Sequence, residues 1–138
     1  MSEIVLDHLA VGERIVHKAF PPITRHKLAL YCGASGDHNP IHVDIDFAKA
    51  AGFPDVFSHG MLVMAYLGQA LTDAVAPARI RSFSTRFAAI TQLGARLTCE
   101  GHVTELIDHK GERRARLALT TKDENGEVKL AGEAIIAL

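Results

Sequence analysis

Two rhythms of apolar residues divide the chain, a helical one in the first half and a strand-like one in the second. After Thr24, the residues Leu28, Tyr31 and Cys32 recur at three- and four-residue spacing. This predicts a helix through about Ala34, with Thr24 as its N-cap and Gly36 where it should stop. Asp44 is placed to cap a second short helix, with Phe47, Ala48 and Ala51 on its buried side and Gly52 closing it. From His59 to about Val75 the chain carries seven consecutive apolar residues, Met61 to Leu67, then Ala70 and Leu71. The stretch is too short and too interrupted to span a membrane, and it predicts a buried helix. A helix apolar on nearly all sides must be wrapped by other structure.

The second half supplies the wrapper. Arg81 to Phe87, Ala95 to Leu106, Arg113 to Lys122 and Val128 to Leu138 alternate apolar and polar residues, or run apolar, between turn signals. Asn125-Gly126 is a favoured pair for a two-residue turn with positive backbone angles, and His109-Lys110-Gly111 marks another hairpin. These predict four antiparallel strands. The stretch from Ile4 to Phe20 is mixed, with a short strand at Ile15 to Lys18 before the break at Pro21-Pro22. With no internal repeat, low-complexity tract or linker, residues 1–138 read as one α+β domain.

Charge removes some partners from the picture. Fifteen Lys+Arg balance 16 Asp+Glu, so nothing global points to nucleic acid or to an anionic membrane. The two cysteines, Cys32 and Cys99, form no CxxC pair and fit free buried thiols in a reducing compartment. The first residues, Met1 to His8, lack a charged segment followed by an apolar one. The expectation is a cytoplasmic protein.

The candidate chemistry lies in Ser35-Gly36-Asp37-His38-Asn39-Pro40-Ile41-His42-Val43-Asp44. Asp37 and His42 are five residues apart with a proline between them, and one face of a regular helix cannot give that spacing. Proline has no backbone N–H and disfavours helical geometry in the residue before it, so Asn39-Pro40 should force a turned segment that aims both groups into one pocket. A carboxylate beside an imidazole suits proton transfer. Taken singly, Asp37 would be an Asx-turn residue and His42 an ordinary hydrogen-bonded histidine. Asn39 is expected to orient the loop through backbone hydrogen bonds.

Tyr31 and this run, followed by Phe47-Ala48, Gly52-Phe53 and His59-Gly60-Met61-Leu62, resemble the MaoC-like hydratase/dehydratase family, also called the (R)-specific enoyl-CoA hydratase family. The resemblance spans roughly residues 24 to 72. It implies a hot-dog fold, in which a long central helix is wrapped by a curved antiparallel sheet, in a homodimer or higher homo-oligomer whose sheets join. It also implies reversible hydration of a trans-2-enoyl thioester, carried by coenzyme A or acyl carrier protein, to the (R)-3-hydroxyacyl thioester. In that scheme Asp37 and His42 hold the catalytic water and Gly60 offers its backbone N–H to the thioester carbonyl. Asn39, His59 and Met61 are then the expected substrate-binding residues. No redox cofactor is needed, and no metal site is expected.

The residues themselves agree with that chemistry to a point. Hydration needs a base for the water, an acid for the alpha carbon, and stabilisation of enolate-like charge on the thioester oxygen. Asp37 and His42 supply the first two in an order that spacing leaves open. Gly60 stands where the apolar helix should begin, among unpaired N–H groups at the positive end of the helix dipole. Plain helix–sheet packing would also explain it.

His38, Asp44 and His59 have poor spacing for a metal, and Asp44 reads as a cap. The arginines at 79, 81, 86, 113, 114 and 116 read as a solvated sheet face rather than a phosphate site. Gly68, inside the apolar helix, hints at close packing or extra room for substrate. Two other functions remain open: a hot-dog thioesterase, and a non-catalytic subunit paired with an active homologue.

Overall fold

The computed structural model describes residues 6–138. The expectations placed on the first five residues, the start of the mixed segment at Ile4 and the lack of a leader pattern, lie outside them. Five strands form one antiparallel sheet: β1 (Arg14–Ala19), β2 (Ile80–Phe87), β3 (Thr98–His109), β4 (Glu112–Lys122) and β5 (Val128–Ala137). Their order is β1-β3-β4-β5-β2, so β1 joins the four strands that alternation marks, and β1 and β2 form the two edges. β3 starts at Thr98 rather than Ala95, because Ala95 is held in a turn through its N–H to the Gln92 carbonyl.

The two turns exchange the roles expected of them. Lys110 and Gly111, with φ of 51° and 84°, make the two-residue turn with positive angles between β3 and β4. The Asn125-Gly126 turn is longer. Asp123 Oδ1 accepts from the N–H groups of Asn125 and Glu127, each at 2.9 Å, and only Gly126 there has a positive φ. An aspartate side chain standing in for backbone acceptors has widened the hairpin.

The helices are α1 (Arg25–Ser35), α2 (Ile45–Ala50) and α3 (Gly60–Ala74). Thr24 caps α1 by accepting from Lys27 N–H, and Gly36 ends it at φ 77°. Asp44 caps α2 through Asp46 and Phe47 N–H. Of the three residues expected to be buried there only Ala48 is, and Phe47 is 45% exposed. A six-residue helix packed chiefly on the neighbouring turn has cover for one small side chain.

α3 lays Leu62, Val63, Tyr66, Leu67, Ala70 and Leu71 on the sheet, a stripe spaced for one helix face. Val16, Val103, Leu117, Leu119, Leu130 and Ile136 meet it from the strands, all 1% exposed or less. Burying each such leucine or isoleucine contributes about 1.5–3 kcal/mol. The sheet of one chain does not wrap α3 on all sides, however. Met61, Ala65, Gln69 and Thr72 remain exposed along the opposite face.

Candidate active site

A relay of local bonds shapes the loop between α1 and α2. Ser35 Oγ accepts from Asp37 N–H at 3.1 Å, Asp37 Oδ1 from Asn39 N–H at 3.2 Å, and Asn39 Oδ1 from Ile41 N–H at 3.1 Å. Pro40 then opens a single 3-10 turn, Pro40–His42, which needs no N–H from it. Asp37 stays exposed, while the His42 ring turns inward and is 8% exposed. The Asx geometry at Asp37 thus coexists with an inward partner.

His42 Nδ1 lies 2.7 Å from the Phe57 carbonyl. A carbonyl only accepts, so Nδ1 carries the hydrogen and Nε2 presents a lone pair when the ring is neutral. His59 is 1% exposed and stacks on His42 with ring centroids 3.8 Å apart. Its Nε2 donates to the Asp37 carbonyl at 3.3 Å, with Cys32 Sγ 3.5 Å away, and the edge of Tyr31 packs against the ring. Nδ1 of His59 is buried with no partner among the described residues. Burial, and then the neighbouring His42, hold His59 below the usual histidine range.

One ligand atom each from Asp37, His42 and His59 lies within 4.8 Å of the others. A single water, with hydrogen bonds of about 2.8 Å, can bridge such a span. A shared metal ion fits less well. The two rings are only 26° from parallel, so their in-plane lone pairs run side by side and do not converge at the ~2 Å a metal–nitrogen bond requires.

Gly60 is the first residue of α3, and His59 before it makes no side-chain cap, so the N–H groups of that first turn have no side-chain acceptor. A Cβ on Gly60 would come within 3.0 Å of the Phe87 ring. The glycine therefore permits a close approach of the helix start to β2. Beside it opens a cavity of about 320 Å³ lined by His42, Phe57, Ser58, Gly60, Val63, Leu130 and residues 87–91. His42 and Gly60 share one apolar chamber.

The structure brings Asp37, His42 and His59 together and sets Gly60 on the cavity with His42. It does not bring Asn39, His59 or Met61 to the cavity wall: Asn39 braces the loop, His59 lies behind His42, and Met61 is 56% exposed. Asp44 serves as a cap and His38 points to solvent. Sequence reading missed the wall at residues 88–91, which carries no motif and falls between two strand patterns. Among the arginines, Arg81 and Arg114 pair with Glu112, and Arg116 pairs with Glu105 and Glu133. Cys32 and Cys99 are free and buried.

A long helix laid across an antiparallel sheet defines a hot-dog domain, here with a carboxylate and an imidazole near the helix start. The chain belongs to the MaoC-like domain family, whose sequence model matches residues 8–125. It is 31% identical over 116 residues to the (R)-specific enoyl-CoA hydratase of Rhodospirillum rubrum, covering 83% of this chain and 78% of that protein. It is 34% identical over 113 residues, 77% of this chain, to the fatty acid synthase subunit beta of Aspergillus oryzae. The chain spans 5% of that subunit's length, and 26% of the peroxisomal enoyl-CoA hydratase 2 of Arabidopsis thaliana. Among solved structures, the unliganded R-hydratase of Pseudomonas aeruginosa superposes with a TM-score of 0.81 at 30% identity, covering 94% of this chain and 82% of that one.

Proposed function

We propose that the protein reversibly hydrates trans-2-enoyl thioesters to (R)-3-hydroxyacyl thioesters, with coenzyme A or acyl carrier protein as the thiol. The observation that carries this reading is that Asp37 lies beside His42 and that His42 shares one cavity with Gly60. The Phe57 carbonyl holds His42 in the tautomer whose Nε2 accepts a proton, and the Asp37 carboxylate lies within one water's reach. A water held between them gives a proton to the pair as its oxygen bonds to the beta carbon, and the pair passes a proton on to the alpha carbon, so that H and OH of one water add across the double bond. Charge that develops on the thioester oxygen is met by the N–H of Gly60 at the positive end of α3. The (R)-specific relative in Rhodospirillum rubrum supports the same outcome at the beta carbon.

The working unit in this reading is a homodimer. Among the described residues β2 is an eight-residue edge strand with no partner on one side, and exposed edges of that length are normally paired or covered. The face of α3 that carries Met61 and Ala65 is exposed as well. Two free buried thiols support a reducing, cytoplasmic setting.

The test is a series of trans-2-enoyl-CoA substrates of increasing length, with product chirality determined, on the protein and on Asp37→Asn and His42→Ala. Loss of roughly 100-fold or more in kcat with an unchanged melting temperature is expected in both variants. Near-normal rates in both would overturn the assignment. Release of free thiol instead of hydrated product would favour a thioesterase.

A further inference from the structure

Lys129, on β5, is a lysine with 3% of its side chain exposed, a placement lysine almost never takes without partners. Nζ donates to the carbonyl of Ile90 at 2.8 Å, pairs with Glu127, and lies 3.5 Å from Asp123 Oδ2. Three oxygens thus face the three donors an ammonium carries. Two are carboxylates of the adjacent β4–β5 turn, which would satisfy the charge without help. The third is a backbone carbonyl in the middle of the cavity wall.

That wall, residues 88–91, has no regular structure of its own. Its first residue is tied by Ala88 N–H to the Lys129 carbonyl, and its last by the Thr91 carbonyl, which accepts from Ser58 N–H, both at 2.9 Å. Between these pins, the Lys129 amino group is the side chain that holds it. Ala88, Ala89, Ile90 and Thr91 all line the cavity, as does Leu130, the next residue on β5. One strand therefore contributes a lining side chain at 130 and, at 129, a grip on the adjoining wall.

We infer that Lys129 is a positioning residue that fixes the 88–91 wall and thereby limits which acyl chains the site accepts. The inference rests on the hydratase reading for its substrate, but the grip on the wall can be tested without it. A ligand tail that leans on this wall meets a fixed surface while Nζ holds Ile90. Once that bond is gone, the wall has only its two ends tied.

The experiment compares the full chain with Lys129→Met and Lys129→Arg. Hydrogen exchange of the 88–91 segment is expected to quicken roughly tenfold or more in Lys129→Met, with the α3 core unchanged. Across enoyl-CoA substrates, KM is expected to shift about tenfold between the shortest and longest chains relative to the unaltered protein, while kcat on the shortest stays within about twofold. Lys129→Arg keeps the charge but spreads its donors as a planar fork, and should show the same shift in smaller degree.

If Lys129→Met does not fold, the arginine variant carries the test alone. Unchanged exchange of the wall, or a lowered melting temperature with an unaltered chain-length profile, would reduce Lys129 to a staple of the hairpin and overturn the inference. An unaltered protein that hydrates no enoyl thioester would sink the hydratase reading instead, and the exchange result would still decide whether Lys129 holds the wall.

Discussion

The imidazole of His59 lies against that of His42, ring centroids 3.8 Å apart and planes 26° apart, with its Nε2 bound to the carbonyl of Asp37. One buried ring therefore backs both His42 and Asp37. Burial and the neighbouring histidine keep it neutral below the range where an ordinary histidine, near 6.5, takes up a proton.

That depression has a sign. The unfolded state binds the proton of His59 more tightly than the folded state, so stability is full above about pH 6.5 and falls as the pH drops through the ordinary histidine value toward the lowered one. Chemical denaturation of the protein and of His59→Gln between pH 7.5 and 5 should show a shallower loss in the variant, though it starts less stable. Parallel curves would mean that His59 does not titrate differently on folding.

Glu112 sits between two guanidinium groups. Arg81 and then Arg114 hold its carboxyl down to about 2, from an ordinary value of 4.5. The ion-pair contribution is then present above about pH 4.5 and is lost as the pH falls toward 2. The carboxylate is exposed, so salt should weaken it. Glu112→Gln is expected to flatten the acid limb of a melting-temperature profile at low salt and to change little in concentrated salt.

Two glycines should respond to alanine in opposite directions. At Gly68 the nearest atom to an added Cβ is Phe83 Cε1 at 3.7 Å, an ordinary contact, so Gly68→Ala should stabilise α3 by up to about 1 kcal/mol. At Gly132 the Cβ would lie 2.1 Å from the Ser84 carbonyl oxygen and 2.8 Å from Thr85 Cα. Because backbone must move there, Gly132→Ala should cost about 1–3 kcal/mol or detach β2. Urea titrations of both variants check the pair.

Gly60→Ala sets a methyl against the Phe87 ring, at 3.0 Å. The helix start should shift away from the cavity, with kcat falling roughly 10- to 100-fold while KM changes less, as for a lost oxyanion donor. Adding Phe87→Leu should restore part of kcat by giving the methyl room. No recovery in steady-state assays would place the loss in the helix geometry itself.

Much of this was legible because it is local. Thr24, Gly36 and Asp44 act within four residues of where they stand, and the relay from Ser35 to Ile41 is built from neighbours. The contacts that make the site work are not local. His42 finds its carbonyl fifteen residues away at Phe57, and Lys129 finds Ile90 across thirty-nine. Nothing in Val128-Lys129-Leu130 distinguishes a buried lysine from one on a solvated face. The exposed stripe on α3 was also hidden, since hydropathy reports that a helix wants cover and not how much of it one sheet provides.

The strand order carries a consequence for how the chain comes together. β3, β4 and β5 follow one another and pair through short turns, so the middle of the sheet can close early. Both edges arrive from earlier in the chain, β1 to meet β3 and β2 to meet β5. Such distant pairings are slow because loop closure must precede their reward. His42 precedes β2 in the chain, and its cavity is walled by the residues just after β2. On this topology the chamber is expected to close after a hairpin core that holds neither Asp37 nor His42.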